Sequence, residues 1–537
     1  MNLARTIANN LSLPEEKVRN TIVLVNSDNT VPFIARYRKE LTGNLDEEQI
    51  YKIKIELKRV ENLEDRRKTV MESIAGQGKL TESLKQQILT AKTLTFLEDL
   101  YLPYRPKRRT RGMIAREKGL EPLAQMILQQ KVSSKSLHSL VNAFINDQVA
   151  DEGSAITGAS DIIAEIINDN AMIRQTMREK GFTIGKFVVE KVRDTEDNRK
   201  VYEIYYQFEL LVKYLKPHQI LAINRGEKEK VLKVNIIIPD RDWLRVIYSQ
   251  YPPDRSSVFH DILQSAIEDG AKRLLLPSIE RDIRRTLTES AESHAIDVFS
   301  RNLRGLLTQP PLSDQVILAI DPGFRTGSKI AVIDETGKLL ETATIYPHPP
   351  QNRKAESYQV IDKLIKQHAT TLIVIGNGTA SRETETFIAE ITKNDPKLNY
   401  LITSEAGASV YSASKLARKE FPELDVSIRG AVSIGRRVQD PLAELVKIDP
   451  KSIGVGLYQH DVNQTKLSLA LDQTVESVVN AIGADGNTAS AQLLTYISGI
   501  GPALAEKIID FREENGPFKD RMTIKNVPGM GAKSFEQ

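Results

Sequence analysis

The residues best suited to chemistry in this chain are a few carboxylates and two pairs of glycines. Val316-Ile317-Leu318-Ala319-Ile320-Asp321 is an apolar run ending in an acid, the pattern of a buried central strand that delivers a carboxylate to one end of a sheet. Asp440 and Glu444, in Asp440-Pro441-Leu442-Ala443-Glu444, are spaced to share one helical face and could supply further acids. Three or four carboxylates around two divalent ions roughly 3.5–4 Å apart can hydrolyse a phosphodiester, one ion activating water and the other stabilising the leaving oxygen. The glycines suggest binding instead. Gly499-Ile500-Gly501 and Gly529-Met530-Gly531 are two copies of a short turn, each followed at once by a helical pattern carrying a lysine, Lys507 or Lys533. Glycine at both ends allows φ > 0 and lets backbone N–H groups approach a partner with no Cβ in the way. The positive end of the following helix faces the same partner, an arrangement suited to phosphate. One Gly-x-Gly is explained by a tight turn; two with matched flanks point to a repeated binding device.

Other groups contribute less. Net charge is only +3, from 74 Lys and Arg against 71 Asp and Glu, so any case for nucleic acid rests on local clusters. The densest is Arg105-Pro106-Lys107-Arg108-Arg109-Thr110-Arg111, a loop or extended arm because proline disfavours helix before it. Its cations repel one another unless an anion such as phosphate neutralises them. There is no cysteine, which removes disulfides, thiol catalysis and thiolate metal sites and suits a reducing compartment. His138, His218, His260, His294, His348, His368 and His460 are too scattered for a local ligand pair, and no metal or cofactor is expected. Gly529-Met530-Gly531-Ala532-Lys533-Ser534 fails as a phosphate loop, since Ala532 replaces the glycine before lysine and no buried strand leads in.

The elements that position these residues change character along the chain. With 537 residues, 40% hydrophobic and 27% charged, the chain is globular and divides into roughly three to five domains. No apolar run approaches a membrane span and the N-terminus lacks a signal core, so a cytoplasmic location is expected. Residues up to about 310 read as mostly helix. Pro14-Glu15-Glu16 opens one helix, and Val31-Pro32 opens another after the polar break Ser27-Asp28-Asn29-Thr30. The pair fits a helix-turn-helix in which Arg36, Arg38 and Lys39 would face a groove. Helical spacing over 256–305 is interrupted by Pro277, giving one broken helix or two in sequence. Gln309-Pro310-Pro311-Leu312-Ser313 is the clearest boundary. Strands follow at 316–321, at 329–333 and after the 335–338 turn, then at 371–376 and near 400–402 with helices between them. Three antiparallel strands followed by alternating helices and strands is the order of the ribonuclease-H-like fold. In that fold a second carboxylate belongs after the fourth strand, where this chain has Asn377, and an amide brings no charge to hold a hard cation.

The two glycine turns resemble the double helix-hairpin-helix module, which grips a nucleic-acid backbone without reading sequence. The whole chain resembles the Tex family of bacterial transcription accessory proteins. The resemblance rests on Asn29-Thr-Val-Pro-Phe-Ile-Ala-Arg-Tyr-Arg38, Asp321-Pro-Gly-Phe-Arg-Thr-Gly327, Ile375-Gly-Asn-Gly-Thr-Ala-Ser-Arg-Glu-Thr384, Arg436-Arg-Val-Gln-Asp-Pro-Leu-Ala-Glu-Leu-Val-Lys447, Asp449-Pro-Lys-Ser-Ile-Gly-Val-Gly456 and Asn487-Thr-Ala-Ser490. It implies a multidomain, mainly α protein: a helical N-terminal domain with a helix-turn-helix over 1–190, a helical region with a long connecting helix over 191–312, a YqgF-type ribonuclease-H-like domain over 313–447, and the double hairpin over 448–537. It also implies a C-terminal OB-fold that binds RNA; the chain reaches Gln537 before one, and is expected to be a truncated product. The expected function is a monomeric scaffold that binds RNA and DNA in transcription, with RNA polymerase or the elongation machinery as the candidate protein partner and with no catalysis. Binding would fall to Gly499, Gly501, Lys507, Gly529, Gly531 and Lys533 with Arg105, Lys107, Arg108, Arg109 and Arg111, leaving Asp321, Asp440 and Glu444 as vestigial acids. The alternatives are a metal-dependent nuclease or resolvase built on those three acids, and a protein-interaction scaffold.

Overall fold

The computed structural model describes residues 2–536 except 28, 107, 108, 132–135, 313, 394, 485, 488 and 517. The chain forms two compact units, Met1–Ile22 with Tyr51–Ser293, and Val23–Ile50 with His294–Gln537.

The first unit is mostly helical, as its 3.6-residue patterning requires. Its interior holds a charged cluster. Asp99 accepts from Arg174 Nε at 2.7 Å and from Arg178, and Asp282 accepts from Arg174 Nη2 at 2.9 Å, with Asp99, Arg174 and Arg178 all buried. Each charge is therefore matched where water is excluded. The stretch 186–237, which the sequence reading included in a mostly helical region, also holds strands. An antiparallel sheet of order β2-β1-β3 joins β1 (Lys186–Lys191), β2 (Gln207–Leu211) and β3 (Leu232–Ile237), with Val189 opposite both Phe208 and Val234. Phe187 and Val189 are buried, Val188 between them is half-buried, and the flanking Lys186 and Glu190 are exposed, so burial favours one face of this strand. Further on, the helix His260–Gly270 passes through a π turn, Ala271–Leu275, into Leu276–Leu307. Pro277, which has no N–H to donate, follows directly on this π turn, where the regular hydrogen-bond ladder is already interrupted.

In the second unit, among the described residues, a five-stranded sheet runs β6-β5-β4-β7-β8. Its strands are β4 (Ile317–Asp321), β5 (Ser328–Ile333), β6 (Leu339–Ile345), β7 (Leu372–Gly376) and β8 (Asn399–Thr403). β4 and β5 pair antiparallel, whereas β4, β7 and β8 run parallel, the order expected from the sequence. Both faces are covered. Leu318, Ile320, Ile373 and Ile375 pack with Ile361, Phe387 and Ile388, while Ile317, Ala319 and Val374 pack with Ala431, Ile434 and Val438 of helix Val426–Gln439. Burial on both faces is why β4 and β7 read as unbroken apolar runs. Parallel strands also bring the C-terminal ends of β4, β7 and β8 to one end of the sheet, where a site is expected.

Candidate nucleic-acid interface

The two glycine turns fold alike. In the first, Ile500 N–H donates to the Ile497 carbonyl at 3.0 Å and Ala505 N–H to the Gly501 carbonyl at 2.9 Å. In the second, Met530 N–H donates to Val527 at 3.0 Å and Phe535 N–H to Gly531 at 2.9 Å, the same bonds at one constant offset in sequence. Gly499 has φ +84° and Gly529 φ +96°, a left-handed backbone that only glycine adopts without strain. The second glycine of each pair does something else. Gly501 has φ −81° and caps helix Pro502–Asn515, so the expectation of positive φ at both ends holds only for the first glycine. A Cβ at Gly501 or Gly531 would meet nothing, which leaves the backbone of both turns open to a partner. Among the described residues, the N–H groups of Gly501 and Gly531 have no acceptor within the chain. Lys507 Nζ lies 3.4 Å from where a Gly529 Cβ would stand, so the exposed lysine of the first hairpin reaches across the glycine of the second. Lys533 is likewise exposed.

The basic arm lies in the first unit. Arg105, Arg109 and Arg111 are exposed, and Arg109 Nη2 meets Glu117 at 2.9 Å; Lys107 and Arg108 lie outside the described residues. Arg38, which the sequence reading placed on a groove-facing helix, stacks on Phe33 at 4.7 Å and pairs with Glu536 at 3.4 Å.

The carboxylates do not assemble as the sequence suggested. Asp440 is exposed and caps helix Pro441–Leu445, accepting from Ala443 N–H at 2.9 Å. Glu444 is buried, accepts from Ser433 Oγ at 2.6 Å and meets Lys447 Nζ at 3.0 Å. Proline at the first helical position makes Asp440 a cap outside the helix, so the spacing of four does not place the two acids on a common face. The charges that act on Asp321 are instead Glu405, just beyond β8, and Lys329, its pairing partner on β5. Burial and the repulsion of Glu405 push Asp321 up to about 6, against a smaller pull from Lys329.

Glu405 was missed in the sequence. Gly376 and Gly378 shape its seat, since a Cβ at Gly376 would stand 2.8 Å from Glu405 Oε2 and one at Gly378 would overlap the carboxylate. Asn377, between them, braces the same loop: its Oδ1 accepts from Glu405 N–H at 3.1 Å, and its backbone N–H donates to the Thr403 carbonyl at 2.9 Å. Buried Arg437 donates through Nη1 to the carbonyls of Ser404, at 2.6 Å, and Ala406, at 2.9 Å, fixing the loop from its other side. Gly-Asn-Gly after one strand and Ser-Glu-Ala-Gly after its parallel neighbour was the available signal.

A ribonuclease-H-like sheet and a duplicated glycine hairpin in one chain define a class of nucleic-acid-associated protein, and sequence comparison places the chain more closely. It matches the Tex-like protein N-terminal domain over 1–75, the Tex central region-like family over 133–299, the Tex protein YqgF-like domain over 315–439 and the helix-hairpin-helix motif over 479–537. It is 47% identical to the uncharacterized protein YdcI of Bacillus subtilis, over all of this chain and 75% of that protein. It is 43% identical to the transcriptional accessory protein Tex of Neisseria gonorrhoeae, over all of this chain and 71% of that protein. The human S1 RNA-binding domain-containing protein 1 is 40% identical over 96% of this chain and 53% of its own length. The chain belongs to the Tex family.

Proposed function

We propose that this protein binds the phosphate backbone of RNA and DNA through its tandem hairpins, with the Arg105–Arg111 arm adding contacts, and acts as a non-catalytic accessory to transcription. The observation that carries the reading is the pair of equivalent turns, each with an open glycine backbone at a helix start, joined by Lys507 reaching over Gly529. Each turn is a weak anion site, and two linked sites gain avidity through effective concentration. The relative named a transcriptional accessory protein and the one named for an S1 RNA-binding domain support the setting. Assignment to RNA polymerase or the elongation machinery, a monomeric state and a cytoplasmic location belong to the same proposal. Among the described residues no helix is long and apolar enough to cross a membrane.

The absence of catalysis is part of the proposal. Among the described residues no group of three His, Asp or Glu is placed to hold a metal ion, and Asn377 secures a backbone where an acid would ligate. The test is a fluorescence anisotropy titration over several salt concentrations, with RNA and DNA competitors and added Mg²⁺ or Mn²⁺. Binding whose log K falls by about 0.7–0.9 per phosphate contact for each decade of salt, with substrate intact, is expected. Cleavage that disappears in Asp321→Asn would establish the nuclease alternative, and no binding at any salt the interaction scaffold.

A further inference from the structure

The element Thr30–Arg38, far from the hairpins in sequence, touches both of them within the second unit. Thr30 starts helix Val31–Tyr37 by accepting from Phe33 N–H at 3.4 Å, and its Oγ1 also lies 2.7 Å from Ser498 Oγ. Ser498 immediately precedes Gly499 and is buried. The other side of the same segment is held by Asn480 on helix Gln464–Ile482. Its Nδ2 donates to the Tyr496 carbonyl at 2.7 Å, and its Oδ1 accepts from Ser498 N–H at 3.3 Å. Val31, Phe33 and Ile34 are buried, which anchors Thr30 against that helix. At the far end of the element Arg38 reaches Glu536, behind the second hairpin.

We propose that Thr30, Ser498 and Asn480 form a clamp that fixes the first hairpin in its binding orientation, making the N-terminal segment a positioning element for nucleic acid. The inference rests on the backbone-binding reading above. Two weak sites act together only if their mutual orientation is held before the ligand arrives, because otherwise binding must supply the ordering entropy. None of the three side chains needs to touch the ligand; each acts by holding the chain entering Gly499.

A double-mutant cycle on the full chain tests this, with a fluorescein-labelled single-stranded RNA as the probe. Ser498→Ala removes the partner of Thr30 while leaving its helix cap intact, Thr30→Val removes the hydroxyl, and Thr30→Ser keeps it. Ser498→Ala should weaken binding about fivefold and Thr30→Val, which also loses the cap, at least as much, neither flattening the salt dependence, and their combination should be no weaker than Thr30→Val alone, the signature of one shared contact. Thr30→Ser should bind like the parent. Additive losses, a flattened salt slope, or unchanged affinity accompanied by a lower melting temperature would overturn the clamp. If the parent itself does not bind, the backbone-binding reading fails and the clamp with it, whereas a binding parent with an unaffected Ser498→Ala overturns the clamp alone.

Discussion

Replacing Asp321 by Asn removes a charge that the fold holds at a cost. The carboxyl of Asp321 is raised from 3.8 to about 6 by burial first and by Glu405 second, with Lys329 opposing. The sign follows from linkage. Over the window from about 4 to 6 the native state retains a proton that the unfolded state has released, so stability falls as pH rises through this window and is flat above it. A shift of about two units at about 1.4 kcal/mol each sets an upper figure of about 3 kcal/mol at pH 7.5. An amide must itself find hydrogen-bond partners there, so a gain of about 1–2 kcal/mol is expected for Asp321→Asn. The chain has one tryptophan, Trp243, and it lies in the other unit, so whole-chain fluorescence would miss the effect. Hydrogen exchange read by mass spectrometry on peptides covering β4 and β5 reports it directly. The variant should be better protected than the parent at pH 7.5, and the difference should vanish as pH falls towards 4. Equal protection at pH 7.5, or a difference that persists at low pH, refutes the reasoning. Mn²⁺ provides a second arm: added protection in the parent but not in Asp321→Asn would mean that a cation is held by this carboxylate, contrary to the proposed non-catalytic reading.

Three further outcomes are expected. Gly499→Ala should lower the melting temperature, because φ +84° strains a residue with a Cβ by about 1–3 kcal/mol. Gly501→Thr, at φ −81° in open space, should keep stability within about 0.5 kcal/mol yet weaken nucleic-acid binding, as titration would show. Combined Ala substitution of Arg105, Arg109 and Arg111 should flatten the salt dependence of binding by about 0.7–0.9 per lost contact while affecting different sequences equally; an unchanged slope would remove the arm from the binding surface.

The sheet of the second unit was legible because β4 and β7 are buried on both faces, which leaves an apolar run that no surface helix shows. The small sheet of the first unit was not. In Lys186-Phe-Val-Val-Glu-Lys only Phe187 and Val189 are fully buried, and Gln207–Leu211 carries Glu209 at its centre. Half-exposed strands of five or six residues leave too few apolar positions to separate a period of 2 from one of 3.6. The hairpins were recognisable from their glycines, but the division of labour within each pair was hidden, since backbone dihedrals depend on where the following helix begins. At Gly501 that helix starts with Pro502, so the glycine takes an extended cap conformation and its missing side chain serves access.

The carboxylate site shows a different limit, one of adjacency. Spacing along the chain identified Asp440 and Glu444, but an interval of four has meaning only inside one helix, and Asp-Pro marks a helix start. The acid whose charge acts on Asp321 comes from just beyond β8, remote in sequence and brought to the same end of the sheet because β4, β7 and β8 run parallel. Asn377 then acquires a reason. On the proposed reading, the position after β7 that would carry a metal ligand carries an amide oxygen that accepts a backbone hydrogen bond, and its flanking glycines make room for Glu405. An aspartate at 377 could still accept from Glu405 N–H through one oxygen, but it would add a second negative charge in the loop that carries the Glu405 carboxylate. Asn377→Asp is therefore expected to loosen residues 403–406, visible as faster hydrogen exchange there, and to create no cleavage with Mg²⁺ or Mn²⁺. Cleavage restored by that single change would show that the site lacks only one charge.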